Sequence, residues 1–347
     1  MSIKLAIDVM GGDKAPDMVI EGIARAHQQH PKVFFLLFGD KSRITPLVEK
    51  FKVDASRITV IHAPEVITSD MKPTAALRGS KNSSMRMAIQ AVADGQADAV
   101  VSAGNTGAYM ALSKIILKTL HGIHRPAIAA TIPTLRGRGL MLDLGANVDC
   151  SSENLCQFAL MGSIFSQQVL GKSNPSVGLL NVGEEDLKGN AVIQETYARL
   201  KDQSWVKNFA GFVEGNDVFT GRVDVIVTDG FTGNVSLKTA EGIFSVFRQV
   251  LSEAFNKTWW SRLTYMLVRP VFRVFGSQFD PRRNNGAPLL GLNHICVKSH
   301  GGTDALGFSY AIRVAIHMVD RDVNRLIREG FAALHPAPDL EIQKACA

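Results

Sequence analysis

At 347 residues, 46% hydrophobic and 20% charged, the chain holds enough apolar material for one large core or two lobes, which excludes a disordered protein. Its net charge of +6 suits an acidic partner: a phosphorylated substrate, an acidic carrier protein or an anionic membrane surface. No aromatic-and-basic motif or zinc finger accompanies that charge, so no nucleic-acid partner is expected.

In chain order, residues 4–9 form an apolar β-run with no basic or cleavable leader before it, and Pro16 opens a helix reaching about residue 30. Further apolar runs at 33–39, 58–63, 99–101, 127–132, 140–144, 176–180 and 223–228 read as strands, with helices at 44–51, 85–93 and 109–117. Continuous rather than alternating apolar strands are covered on both faces. The predicted fold is therefore three-layer α/β, with a mostly parallel sheet between helices and its ligand crevice at the carboxyl ends of the strands. The organisation expected is one α/β domain over residues 1–331, in two lobes around a cleft, and a loose tail at 332–347. Cys150, Cys156, Cys296 and Cys346 show no CxxC or metal spacing and read as reduced thiols of a cytoplasmic protein, so no metal site is predicted. No apolar stretch is long enough to span a bilayer.

The strand-end loops carry the chemistry. The first, residues 8–13 (DVMGGD), is a Gly-Gly turn flanked by two carboxylates, Asp8 and Asp13. Residues 71–85 bring Lys72, Arg78 and Lys81, with Ser83 and Ser84 just ahead of a helix, a suitable cradle for phosphate or a solvated loop. Residues 99–117 pass from a strand through a small-residue turn into a helix. There Gly104 and Gly107 permit close approach, Ser102, Asn105 and Thr106 supply donors, and the first amides of the helix favour an anion. An ordinary turn with Asn105 or Thr106 as N-cap is the alternative.

Residues 142–154 read as a capped helix start, with Asn147 and Asp149 able to face the cleft. In 179–190, Lys188 stands among Glu184, Glu185 and Asp186, as a salt-bridged loop or as a cation that polarises a carbonyl. In 225–242 (pattern DGxxGNxxxK), Asp229 ends a strand, Gly230 and Gly233 relax the turn and Asn234 opens a helix containing Lys238. Asp229 reads as a base or as that helix's cap. Last, His300 precedes Gly301, Gly302 and Thr303 at the start of a final helix.

Residues 257–276 break the α/β rhythm. Trp259, Trp260, Leu263, Leu267 and Phe272 oppose Arg262, Arg269 and Arg273, which describes an interfacial membrane helix, or a hairpin broken near Pro270, with a dimer-contact arm as the alternative.

Taken in series, DVMGGD, KPTAALRGSKNSSM, SAGNTGA, HRPAIAATIPT, LDLGANVDC, LLNVGEEDLKGN, VTDGFTGNVSLKTAEG and SHGGTDA resemble the bacterial acyl-acyl carrier protein:phosphate acyltransferases (PlsX-type), from about residue 3 to 323. The resemblance implies reversible transfer of a fatty acyl group from acyl carrier protein to inorganic phosphate. The acyl phosphate formed feeds phospholipid synthesis through the membrane glycerol-3-phosphate acyltransferase, a further expected partner. It also implies a fold akin to phosphate acetyltransferases and isocitrate- or isopropylmalate-type dehydrogenases, a homodimer, and peripheral membrane association through a helical hairpin at 257–276.

Phosphate is already an anionic nucleophile, so the reaction needs no Ser or Cys nucleophile and no cofactor. It needs donors for phosphate, an oxyanion stabiliser and help for the departing thiolate. Phosphate is assigned to Asn105, Thr106 and Gly107, aided by Arg78 or Lys81. Lys188 and Asn234 are assigned as oxyanion or phosphate partners, Asp229 to orient or deprotonate the nucleophile, and His300 to the thiol proton. A coenzyme A-dependent phosphate acetyl- or butyryltransferase is the nearest rival. A nicotinamide dehydrogenase lacks its GxGxxG fingerprint here.

Overall fold

Apolar strand runs punctuated by glycine-rich turns build an alternating chain in the computed structural model, which describes residues 2–202, 205–278 and 280–334, the side chains of 262, 271–275, 277 and 278 excepted. The first half runs β1 (Lys4–Asp8), α1 (Asp17–Gln29), β2 (Phe34–Gly39), α2 (Lys41–Lys50), β3 (Ile58–His62), α3 (Pro73–Arg78), α4 (Ser84–Ala93), β4 (Ala99–Ser102) and α5 (Thr106–Leu117). It continues through β5 (Ala127–Thr134), β6 (Gly137–Leu142), α6 (Ser152–Val169), β7 (Val177–Leu180), α7 (Ala191–Lys201), β8 (Phe209–Val213) and β9 (Val225–Val227). Two long helices follow, α8 (Gly230–Asn256) and α9 (Trp259–Gln278), and then β10 (Ala287–Leu290), β11 (Ile295–Lys298), α10 (Ala305–Asp320) and α11 (Val323–Leu334).

The strands join in one 11-stranded sheet, ordered β3-β2-β1-β4-β11-β10-β5-β6-β9-β7-β8. Pairing is parallel through β3-β2-β1-β4-β11 and again through β6-β9-β7-β8, while the β11-β10, β10-β5 and β5-β6 pairs are antiparallel. The sheet is thus mostly parallel with helices on both sides, as the apolar runs predict, and mixed through its antiparallel centre. The antiparallel centre has a consequence for the loops. Strands β6, β9 and β7 run opposite to β1, β4 and β11, so the loops after the two sets open on opposite edges.

Alternation along the strands sorts the core into two layers. Leu5, Ile7, Val101 and Val297 pack with residues of α1, α6 and α10 on one face. Ala6, Val100 and Cys296 pack with residues of α4 and α5 on the other, where Leu237 of α8 also lies.

The hairpin needs one correction. Its break is not near Pro270, which lies inside α9, but at residues 257–258 between α8 and α9. Thr258 stops one helix and starts the next: its Oγ1 accepts from the Ser261 amide at 3.1 Å, and its own amide donates to Ser261 Oγ at 3.0 Å. Proline at 270 removes one helical hydrogen bond, that to the carbonyl of exposed Met266. Among the described residues no helix is long and apolar enough to cross a membrane. Residues 332–334 complete α11, and the rest of the expected tail, with Cys346, lies outside the described residues.

Candidate active site

Three neighbouring strands end on polar residues in one row: Asp8 pairs in register with Ser102, and Ser102 with Lys298. Being in phase with Ala6, Val100 and Cys296, these residues face α4 and α5. Asp8 is 1% exposed, and each of its carboxylate oxygens is met by a hydroxyl, Ser84 donating to Oδ1 at 2.6 Å and Ser102 to Oδ2 at 2.7 Å. Burial pushes its pKa up, and those hydroxyls, the Met10 amide and the Lys298 charge only partly oppose this. Ser102 Oγ accepts in turn from the Gly104 amide at 3.0 Å. Ser102, expected as a phosphate donor, is thus fully buried and committed to Asp8. Lys298 is 7% exposed, its ammonium donating to the Ser299 carbonyl. Burial pulls its pKa down to about 8, against the opposing pull of Asp8 and Asp13.

Loops close tightly over this row. A Cβ on Gly11 would stand 2.6 Å from the Gly104 nitrogen, a spacing only glycine allows. The Asp13 amide donates to the Gly301 carbonyl at 3.0 Å, and its exposed carboxylate stands over Gly301 and Gly302. His300 sits at the exposed rim, its amide held by Asn285 Oδ1 at 2.9 Å and its Nδ1 accepting from the Gly302 amide at 3.1 Å. Nδ1 being an acceptor, the neutral ring carries its proton on Nε2. Desolvation lowers the histidine pKa, and Lys238 lowers it further, with Glu241 opposing. Both charges belong to α8, which connects this edge with the other.

Asn105 caps α5, its Oδ1 accepting from the Ala108 amide at 3.0 Å, while its Nδ2 donates to the carbonyls of Thr68, Ser69 and Met71. Its side chain holds the 68–71 loop on the helix start. The Thr106 and Gly107 amides belong to the first turn, where no carbonyl lies one turn back to receive them. Gly107 lies against Pro73, where a Cβ would come within 2.8 Å of Cγ. Arg78 and Lys81 are exposed between α3 and α4, and Arg86 folds back to donate to the Leu77 carbonyl at 3.0 Å.

The remaining expected residues gather on the opposite edge. Asp229 caps α8, accepting from the Thr232 amide at 2.8 Å and the Thr232 hydroxyl at 2.7 Å. Exposed Asn234 packs beside Gly145. Gly233 and Gly230 lie flush against the loop after β6, whose Asp143 accepts from the amides of Ile128, Ala146 and Asn147. Lys188 is exposed on its loop, its stem against Gly183, while Glu184 pairs with Arg222. The structure brings Asp13, Ser102, Gly104–Gly107 and His300 together, while Asp229, Gly233 and Asn234 stand at the start of α8, whose Lys238 and Glu241 act on His300, and Lys188 stands on the loop after β7.

Asp8 and Ser84 stand out in the sequence only as parts of their loops, with no role assigned, and Lys298 and Asp143 do not stand out at all. The available signal was a lone ionisable residue closing an apolar run, as in KLAID and ICVK.

Beyond the sheet, α8 and α9 expose a long apolar surface: Ile243, Val246, Phe247 and Val250, then Trp259, Trp260, Leu263, Met266 and Leu267. The Trp259 and Trp260 rings stack with centroids 3.8 Å apart. The Phe272 side chain, expected at the same surface, lies outside the described residues.

The fold is that of the phosphotransacetylases. It matches the EutD phosphotransacetylase from Staphylococcus aureus with a TM-score of 0.60 at 18% identity, covering 92% of this chain and 94% of that one. A phosphotransacetylase from Streptococcus pyogenes matches with a TM-score of 0.63 at 15% identity and the same coverage. In sequence, residues 3–326 match the fatty acid synthesis protein family. A phosphate acyltransferase of Rhodospirillum centenum is 52% identical over 96% of this chain and 94% of its own length, and one of Paramagnetospirillum magneticum 50% identical over 97% and 96%. The chain belongs to this family, the phosphate acyltransferases, and with it to the acyltransferase enzymes.

Proposed function

We propose that this enzyme transfers a fatty acyl group from acyl-acyl carrier protein to inorganic phosphate, releasing an acyl phosphate for phospholipid synthesis. The observation that carries the reading is the buried row Asp8–Ser102–Lys298 beneath the open first turn of α5, in a chain of this family. A phosphate oxygen attacks the thioester carbonyl, the C–O bond forms, the C–S bond breaks, and the thiolate leaves and takes up a proton. The Thr106 and Gly107 amides hold phosphate, with Arg78 and Lys81 adding charge at the rim and Asp13 bounding the pocket. In this reading His300, protonated on Nε2, donates to the departing sulfur. Lys188, Asp229 and Asn234 act on the same carbonyl only if the far edge reaches it, which substitution at Asp229 measures.

The net charge suits an acidic carrier protein. We read the exposed α8–α9 surface as the contact with an anionic membrane or a second copy in a homodimer, which would place the product near the glycerol-3-phosphate acyltransferase that consumes it. The test is thiol release from long-chain acyl-acyl carrier protein with and without phosphate, with hydroxylamine trapping of the acyl product, and acyl-coenzyme A in parallel. Phosphate-dependent release with trappable acyl phosphate, favouring the carrier protein, supports the reading. Release from short acyl-coenzyme A alone, or none that depends on phosphate, refutes it.

A further inference from the structure

Among the described residues, Lys298 is the buried cation. Burial of an ammonium is costly unless a counter-charge lies against it, yet no ion pair joins Lys298 to a carboxylate among the described residues. Asp8, its neighbour two strands away in the row, has both oxygens engaged by Ser84 and Ser102. The ammonium has three N–H groups, and the Ser299 carbonyl takes one. A buried positive charge with donors to spare lies where the loops after β1, β4 and β11 meet and where α4 and α5 both present their N-terminal ends to the row. Ser84 is the first residue of α4, and Ser102 leads through Gly104 into α5. The N-terminal dipoles of both helices favour an incoming anion here.

We propose that Lys298 holds the phosphate dianion in this site, its ammonium held by the Ser299 carbonyl in the same row as the Asp8–Ser84–Ser102 cluster. The assignment rests on the reading of the enzyme as a phosphate acyltransferase and deepens it. Charge for the anion then comes from inside the sheet edge as well as from the exposed Arg78 and Lys81 at the rim. Lys298 is then a residue that touches substrate, while Ser84 and Ser102 keep the neighbouring Asp8 carboxylate engaged.

The experiment compares wild type with K298M and K298R by steady-state kinetics in phosphate and in acyl-acyl carrier protein, and by thermal stabilisation with inorganic phosphate alone. In K298M the phosphate KM rises about tenfold or more, as for loss of a charged hydrogen bond, while the acyl-donor KM stays within about twofold. Stabilisation by phosphate fades in K298M and is largely kept in K298R. A folded K298M with phosphate KM and phosphate stabilisation like wild type overturns the proposal. If K298M does not fold, the wild type decides. In protein labelled with ¹⁵N-lysine, the Lys298 ammonium resonance, assigned through K298R, shifts on titration with phosphate, and an unmoved resonance overturns the proposal. Failure of the wider reading is distinguishable, because wild type would then make no acyl phosphate at all.

Discussion

The carbonyl oxygen of Asp143 occupies the space a side chain at residue 233 would need: a Cβ on Gly233 would stand 2.0 Å from it. The first turn of α8 is therefore seated against the loop after β6 with no slack, and neither partner can yield because both are backbone. G233A is expected to lose about 3 kcal/mol or more of stability, at the upper end of overpacking effects. Urea unfolding measures it, and a midpoint equal to wild type would show that α8 can shift on its seat.

The hydroxyls around Asp8 make a second prediction. Each of S84A and S102A removes a donor from a buried carboxylate, at a cost of about 1–3 kcal/mol. Because burial raises the Asp8 pKa in the folded protein, the native state binds this proton more tightly than the unfolded chain does. Its contribution to stability therefore declines as pH rises from the ordinary carboxylate range through the native pKa. Removing either hydroxyl raises the native pKa further and carries the decline to higher pH. Urea midpoints across the acid range, wild type against each variant, check both magnitude and sign.

Lys298 titrates in the opposite sense. With its pKa lowered from 10.5 to about 8, the folded protein releases the proton before the unfolded chain does. Stability from this group rises as pH climbs from about 8 towards 10.5 and is lowest below that window. The buried charge thus costs on the order of 3 kcal/mol at neutral pH. K298M is expected to match or exceed wild type in thermal stability without phosphate, while losing phosphate binding. Calorimetry with and without phosphate separates the two effects.

Asp229 tests the far edge. Asn caps a helix as well as Asp, whereas Ala does not, so D229A should lose about 1 kcal/mol and D229N almost nothing. With both carboxylate oxygens engaged by Thr232, D229N is expected to keep turnover within a few-fold of wild type. A hundred-fold loss in folded D229N would instead make the carboxylate a participant in the chemistry, since general-base catalysis contributes about that much or more.

Long apolar strands were legible in the sequence because an apolar run too short for a helix and closed by glycine reads as a buried strand, as in the FFLLFG of β2. What escaped were β8, β10 and β11. Gly211 with φ +88° interrupts β8, and β10 and β11 are four residues each, with Pro288 inside β10. Those two short strands leave β5 parallel to β4, so the second half of the sheet is reversed at the β5–β6 pair, whose two apolar runs were legible while their antiparallel pairing was not. The turn at 104–107 was recognisable from its glycines and its Asn cap. The row beneath it was not, because Asp8, Ser102 and Lys298 become neighbours only through pairing of strands far apart in the chain. The hairpin was visible from its tryptophans and arginines, but its break was set by Thr258, a cap weaker in the sequence than a proline.

The position of β10 and β11 also bears on how the molecule comes into being. They lie between β4 and β5, so the two half-sheets, each complete early in the chain, cannot meet until residues 287–298 arrive. On a ribosome the halves would emerge as separate bodies with their inner edges, β4 and β5, unpaired, a condition that invites mispairing between nascent chains. The late hairpin acts as a zip fastener that closes the sheet and, in the same motion, delivers Lys298 to the row. Assembly of the sheet and completion of the site are one event.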